Sequence, residues 1–181
     1  ADITDLFLQA KNYNQKSNNS RNLGFESLKS LFSGDKKLYI HADLEQEIID
    51  ATPTDDGHIS VYLPHYAIAY LEPYFLAAPN YHFEVFSAEV TSIRNYKNII
   101  YFPISNSGFT KSMIRSHAVI TGGGFETPAE AMYMNKKVLS IPIAKHYEQL
   151  SNAAALSELG VKVLLKIDQD FNAIFTEWMH H

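Results

Sequence analysis

The residues best placed to do chemistry form one short run, Gly122-Gly123-Gly124-Phe125-Glu126-Thr127-Pro128-Ala129-Glu130, directly after the apolar stretch His117 to Thr121 (HAVIT). Three glycines in succession remove every Cβ from a turn, let a ligand approach the backbone, and leave amide donors beside the positive end of a helix. Such a cradle suits phosphate or diphosphate. The same glycines also serve close packing of a strand against a helix, and both readings stand at this point. Thr127 has the type and position of an N-cap, Pro128 suits the first helical position, and Glu130 falls where a capping-box glutamate would sit. A carboxylate one turn into a helix can equally accept hydrogen bonds from ribose hydroxyls. The spacing is compatible with either role.

Other constellations carry less. Of the eight histidines, the six at 41, 58, 65, 82, 117 and 146 are scattered singly, without ligand spacing or a cysteine partner; His180 and His181 read as native residues or as remnants of a tag. Asp168-Gln169-Asp170 has the Asp-x-Asp form that holds a divalent metal in some transferases, but its place before the terminal apolar stripe argues for helix capping. No Ser-His-acid arrangement and no Walker loop is visible.

The elements that must position the glycine run follow from periodicity. Short apolar runs read as strands at His58 to Leu63, Tyr81 to Phe86, Asn98 to Phe102, His117 to Thr121, Val138 to Ile141 and Val161 to Leu165. Between them helical patterns cover Tyr66 to Ala77, Ser107 to Arg115, Pro128 to Met134 and Tyr147 to Leu159; Phe171, Ile174, Phe175 and Trp178 make a last amphipathic helix. Strands alternating with helices imply right-handed βαβ units, so the expected fold is α/β with a doubly wound, mostly parallel sheet. In such sheets ligands bind outside the carboxyl ends of the strands, where the glycine run lies. His65 and Tyr66 follow the first strand at that same edge and are candidates to touch a diphosphate.

The first part of the chain reads differently. Lys11 to Asn22 has one aromatic and otherwise only polar residues, too little apolar surface to offset the entropy of ordering it, and is expected to be a linker. Asn18-Asn19-Ser20 is a formal glycosylation sequon with no secretory signal to accompany it. Phe25, Leu28, Leu31 and Phe32 form one short amphipathic helix stopped by Ser33-Gly34. We therefore divide the chain into 1–50, an N-terminal helix and polar linker that read as the remnant of a preceding domain, and 51–181, the ligand-binding domain. The chain begins Ala-Asp, without Met, and is expected to be a piece of a longer protein.

Composition excludes several classes of function. At 181 residues with 46% apolar and 19% charged side chains the chain can bury a core, and no apolar run approaches the roughly 20 residues that span a bilayer. A net charge of −5 supplies no basic field for nucleic acid, so no nucleic-acid partner is expected. With no cysteine there is no disulfide, thiolate metal site or cysteine nucleophile, which fits a reducing, cytoplasmic setting.

Residues 117–160, HAVITGGGFETPAEAMYMNKKVLSIPIAKHYEQLSNAAALSELG, resemble the nucleotide-sugar-binding half of GT-B glycosyltransferases, closest to the family 1 and MurG-like group. The matching positions are Gly122 to Gly124, Thr127, Glu130-Ala131, Val138 to Pro142, Glu148-Gln149, Asn152-Ala153 and Gly160. The VYLP and IIYFPIS segments extend the resemblance to roughly residues 57–165. Two departures are Asn135-Lys136, where the family usually has Gly and Asn can adopt a left-handed conformation almost as well, and Glu148, where Asp often stands.

The resemblance implies a Rossmann-like donor domain of a glycosyltransferase that moves a hexosyl or N-acetylhexosaminyl group from a nucleotide diphosphate, UDP foremost, to an acceptor. It implies that the amides of Gly122, Gly123, Gly124, Phe125, Glu126 and Thr127 hold the diphosphate and that Glu130 holds the ribose. Backbone groups near Ile104 would pair with the base edge, while Phe102 or Phe109 packs on its face. Glu148, Gln149 and Asn152 would read the donor sugar; as plain structure these three are a polar helix start and a polar helix face. No cofactor and no metal is required, because helix ends and backbone donors stabilise the leaving diphosphate. The catalytic base is expected in an acceptor-binding half, in this chain's missing part or in another chain, through which the protein would associate peripherally with a membrane. The isolated chain is expected to be inactive in transfer. Two alternatives are a separately encoded donor subunit that needs a membrane-associated partner and a non-catalytic nucleotide-binding module.

Overall fold

A computed structural model describes residues 45–181. The polar stretch 11–22, the sequon at Asn18 and the expected helix around Phe25 to Phe32 lie outside the described residues.

The strands are β1 (His58–Tyr62), β2 (His82–Ser87), β3 (Arg94–Tyr96), β4 (Ile99–Pro103), β5 (Ala118–Thr121), β6 (Lys137–Ser140) and β7 (Lys162–Val163). They form one seven-stranded sheet in the order β3-β4-β2-β1-β5-β6-β7. Every pairing is parallel except β3 with β4. The helices are α1 (Gln46–Ile49), α2 (Ile68–Leu76), α3 (Asn106–Arg115), α4 (Glu126–Tyr133), α5 (Tyr147–Glu158) and α6 (Phe171–His180). This is the Rossmann-like α/β arrangement that the alternation of patterns predicts.

Burial on both faces explains why the strands read as unbroken apolar runs: all four residues of β5 are buried, and four of the five in β1. Successive side chains then serve opposite layers. Ile59, Val61, Ala118, Ile120 and Leu139 pack with Phe75 of α2 and with Phe171 and Phe175 of α6. Val119 and Val138 face the other way, among Phe109 and Met113 of α3, Ala131 of α4 and Leu156 of α5. Each fully buried Ile, Val, Leu, Met or Phe among them contributes about 1.5–3 kcal/mol against the entropy of ordering the chain. Ile48 of α1 is fully buried in the second layer, so the packed body begins ahead of residue 51.

The chain builds outward from β1 through β2 to β4, then returns to β5 and continues to β7. The loops leaving β1 and β5, neighbours in the sheet, therefore diverge to opposite faces and leave a crevice at its carboxyl edge. Two elements escaped the sequence pattern, the four-residue helix α1 and the edge strand β3. The edge strand β3 is exposed at all three residues and pairs back on β4 through a turn in which Lys97 has φ 53. It carries no alternation because neither of its faces is buried. At Asn135 φ is 58, the left-handed turn expected of the residue that stands in place of glycine.

Candidate functional site

The glycine run forms the turn from β5 to α4, at the crevice. The helix begins earlier than its sequence implies: Phe125 is the N-cap, with φ −99 and ψ −35 and no side-chain cap, and Glu126 is the first helical residue. Thr127 is therefore not the N-cap, Pro128 is not the first helical residue, and Glu130 is not a capping-box partner. Proline is tolerated in this first turn because an N–H there has no intrahelical acceptor in any case. The amides of Glu126 and Thr127 remain as orphan donors at the positive end of α4.

The glycines do different jobs. A Cβ on Gly123 would lie 2.7 Å from the Gln149 carbonyl oxygen and 2.8 Å from Pro142 Cβ, so its bareness is what lets α5 approach. The Gly123 N–H donates to Gln149 Oε1 at 3.1 Å and its carbonyl accepts from Asn152 Nδ2 at 3.3 Å. Gly123 thus contributes close packing, and its amide is committed within the protein. A Cβ on Gly124 would meet nothing within 4 Å, and at Gly122 it would sit 3.9 Å from His65 Cε1, in ordinary contact. Of the three, Gly124 alone faces open space.

His65 stands exposed across the crevice, its ring packed on Tyr66 at a centroid distance of 4.5 Å. Partial burial lowers its pKa below the ordinary 6.5, which keeps the imidazole neutral near pH 7. Glu148 is exposed in the first turn of α5, the same end from which Gln149 turns inward. His146 caps this helix, its Nδ1 accepting from the Gln149 N–H at 3.4 Å.

Beside the glycine turn a cavity of about 400 Å³ opens among Glu45, Tyr62, Ile104, Phe109, Glu126 and Glu130. Its size suits a nucleoside. Ser105 caps α3 here, accepting from the Gly108 N–H at 3.1 Å, and Thr127 completes the wall toward the glycines. Glu130 is half-buried. Burial foremost, then repulsion from Glu45 and Glu126, raises its pKa above the usual carboxylate value, against a hydrogen bond from the Glu45 backbone N–H. The aromatic wall is Phe109 with Tyr62, whose rings lie 5.2 Å apart. Phe102 instead stacks on Phe86 at 5.0 Å and does not line the cavity, so of these two aromatics only Phe109 borders it. Glu126 lines the cavity as well as starting the helix; Glu45 was not legible, because it precedes a four-residue helix whose pattern is too short to read.

A cavity of about 560 Å³ opens at the opposite, amino-terminal edge of the sheet, by Lys136, Lys137 and Trp178. Two of its three lysines are committed to carbonyl oxygens, Lys136 Nζ to Ser116 at 2.7 Å and Lys137 Nζ to Met179 at 2.8 Å. No group of three or more His, Asp or Glu side chains among the described residues is placed to hold a metal ion. Asp170 is the N-cap of α6 but its side chain makes no cap bond; Asp168 instead accepts from the Asp170 N–H at 3.1 Å and pairs with Lys166 at 2.8 Å.

The sequence profile of glycosyl transferase family 1 matches residues 32–178, which span the whole of this site. The chain belongs to glycosyl transferase family 1. Among solved structures, the glycosyltransferase SnogD from Streptomyces nogalater is similar at 18% identity with a TM-score of 0.42. The match covers 63% of this chain and 31% of SnogD, so this family 1 chain spans under a third of that enzyme. No curated protein matches it.

Proposed function

We propose that this family 1 domain binds a nucleotide sugar, with UDP as the nucleotide, and presents it for transfer to an acceptor held by a second domain. What supports the reading is one juxtaposition: the donors at the start of α4, the bare Gly124 and the 400 Å³ cavity all meet at the point where the sheet reverses its strand order. In this reading the diphosphate lies over Gly122 and Gly124, on the amides of Gly124, Phe125, Glu126 and Thr127, with His65 opposite. The ribose hydroxyls donate to Glu130, and the base enters along Ile104 against Phe109.

Glu148 stands at the exposed end where the sugar would emerge and accepts from its hydroxyls. As the bond from anomeric carbon to diphosphate breaks, negative charge grows on the leaving phosphate, where preorganised amides and a helix dipole stabilise it without a metal. The base that takes the acceptor proton comes from the acceptor-binding half, and a cytoplasmic, membrane-peripheral setting would also depend on that half. Among the described residues no helix is long and apolar enough to cross a membrane.

Calorimetric titration with UDP tests this reading. Gly124→Val adds a side chain where the fold has room, so the variant should fold with an unchanged melting temperature and lose UDP binding. A folded Gly124→Val that binds UDP like the parent would refute the assignment.

A further inference from the structure

We propose that Glu45 is a positioning residue: its backbone N–H holds the Glu130 carboxylate in place for the ribose, and the strap made of Glu45 and α1 is a working wall of the nucleoside cavity. The inference rests on the proposed nucleotide-sugar site and adds to it a segment ahead of residue 51. The strap is anchored on α3. Ile48 is fully buried in the layer that holds Phe109 and Met113, and just beyond it the N–H groups of Thr54 and Asp56 donate to the Ile114 and Arg115 carbonyls at 3.1 and 2.8 Å. The Glu45 carbonyl accepts the Ile48 N–H at 2.9 Å, so the turn that buries Ile48 also sets Glu45. From that place Glu45 lines the cavity and donates its own N–H to Glu130.

Glu130 has few other sources of help. The charged groups that face it are the carboxylates of Glu45 and of Glu126 on α4, while α3 contributes the neutral Ser105, Asn106 and Thr110, and no Lys, Arg or His lines the cavity. A half-buried carboxylate in such company is stabilised by a backbone donor, and a charge-assisted bond of this kind also fixes the direction of the group. Of its roughly four acceptor sites one is then occupied and the rest stay free for ribose hydroxyls. A side chain already held in this way loses less rotamer freedom when the ribose arrives.

The test uses the full 181-residue chain with E45P and E45A. At Glu45 φ is −59, which proline adopts without strain, and since both variants lack the carboxylate they differ in the N–H. Affinities for UDP and 2′,3′-dideoxy-UDP are measured by calorimetry at pH 7 and on acidification. Relative to E45A, E45P should lose about fivefold or more of the preference for UDP over the analogue, which has no ribose hydroxyls to offer. Without the N–H, Glu130 takes up its proton at a higher pH, so the acid loss of UDP affinity should begin earlier in E45P than in E45A. A merely structural role would weaken both nucleotides alike and leave that onset in place.

Equal preferences in the two variants, or a loss common to both nucleotides, would overturn the proposal. Should E45P fail to fold, the parent decides by NMR: the Glu45 amide proton should titrate together with Glu130 and cease to do so in E130Q, and an amide shift indifferent to E130Q refutes the contact. If the parent binds neither nucleotide, the nucleotide-sugar reading fails and the ribose role with it, while the amide titration still decides whether the strap holds Glu130.

Discussion

His58 Nε2 lies 3.4 Å from Glu84 Oε2, a buried oxygen with no hydrogen-bond partner. The two sit under α3 within a polar cluster: Ser112 Oγ is 3.2 Å from His58 Nε2 and 2.5 Å from Ser60 Oγ, and Arg115 reaches Glu84 at 3.5 Å and Asp56 at 2.8 Å. Burial is the largest influence on His58 and lowers its pKa below 6.5, with Arg115 acting in the same sense and Glu84 and Asp56 opposing. Because the folded pKa is the lower one, the stability tied to neutral His58 is complete above the unfolded value and is lost as pH falls below it. Melting temperature should therefore drop from pH 7.5 to 5.5, and His58→Gln should shrink that drop. A rise in melting temperature on acidification that His58→Gln abolishes would show that the imidazolium–Glu84 pair outweighs desolvation.

Gly123 and Gly124 look alike in the sequence and should respond oppositely to alanine. At Gly123 the added methyl meets backbone at 2.7 Å and a proline ring at 2.8 Å, neither of which can swing aside. Gly123→Ala should destabilise the domain by about 1–3 kcal/mol, the usual cost of overpacking. Gly124→Ala meets nothing within 4 Å and should melt within about a degree of the parent, given a few degrees per kcal/mol. Thermal unfolding of the two variants side by side checks this.

Much of the domain was legible because the strands are buried on both faces and the helices on one, so the apolar periods changed wherever the structure did. The edge strand β3 was not, since Arg94 and Tyr96 face solvent and their pairing is decided by a turn at Lys97. The start of α4 was misplaced for a different reason. Thr127-Pro128 has the form of a helix start, but the glycine turn brings the chain into helical geometry one residue before it, and a proline in the first turn costs nothing. At the candidate site the residue types were legible and their directions were not. Gln149 beside Glu148 reads as a pair of solvated polar side chains, and only the approach of α5 to a bare Gly123 turns one inward while the other stays exposed.

Asn135 offers a direct test of the turn that stands where the family usually has glycine. With φ at 58 its conformation costs an ordinary side chain about 1–2 kcal/mol, and Asn less. Asn135→Gly should hold or slightly raise the stability measured by chemical denaturation, whereas Asn135→Ala should lower it by about 1 kcal/mol. Equal effects of the two would mean that the Asn side chain, rather than its backbone, secures the turn.

Glu130 is half-buried beside Glu45 and Glu126, so the ligand-free protein carries a carboxylate that burial and its neighbours disfavour. Glu130→Gln removes that charge and keeps the shape. The variant should unfold no more easily than the parent at pH 7 yet bind UDP roughly tenfold more weakly, because a neutral amide accepts ribose hydroxyls less strongly than a carboxylate. Since its pKa is raised, the parent should begin to lose this contact on acidification before an ordinary glutamate would, while Glu130→Gln shows a flatter pH profile of UDP affinity. A UDP affinity that Glu130→Gln leaves intact would remove the ribose from this carboxylate.

Transfer demands more than the donor site contains. The acceptor hydroxyl, its base and the anomeric carbon must be held within about 3–3.5 Å of one another with water excluded. Here His65, Gly124 and Glu148 are all exposed at one open edge of the sheet, with no protein wall opposite them among the described residues. The 181-residue chain should therefore bind UDP-sugar, yet transfer no label from a radiolabelled donor to a broad panel of acceptors. Adding an acceptor-binding domain should both switch on transfer and tighten donor binding, since closure desolvates the same charged contacts. Sustained turnover by this chain alone would mean that a second copy, or the residues ahead of Glu45, complete the site from the open side.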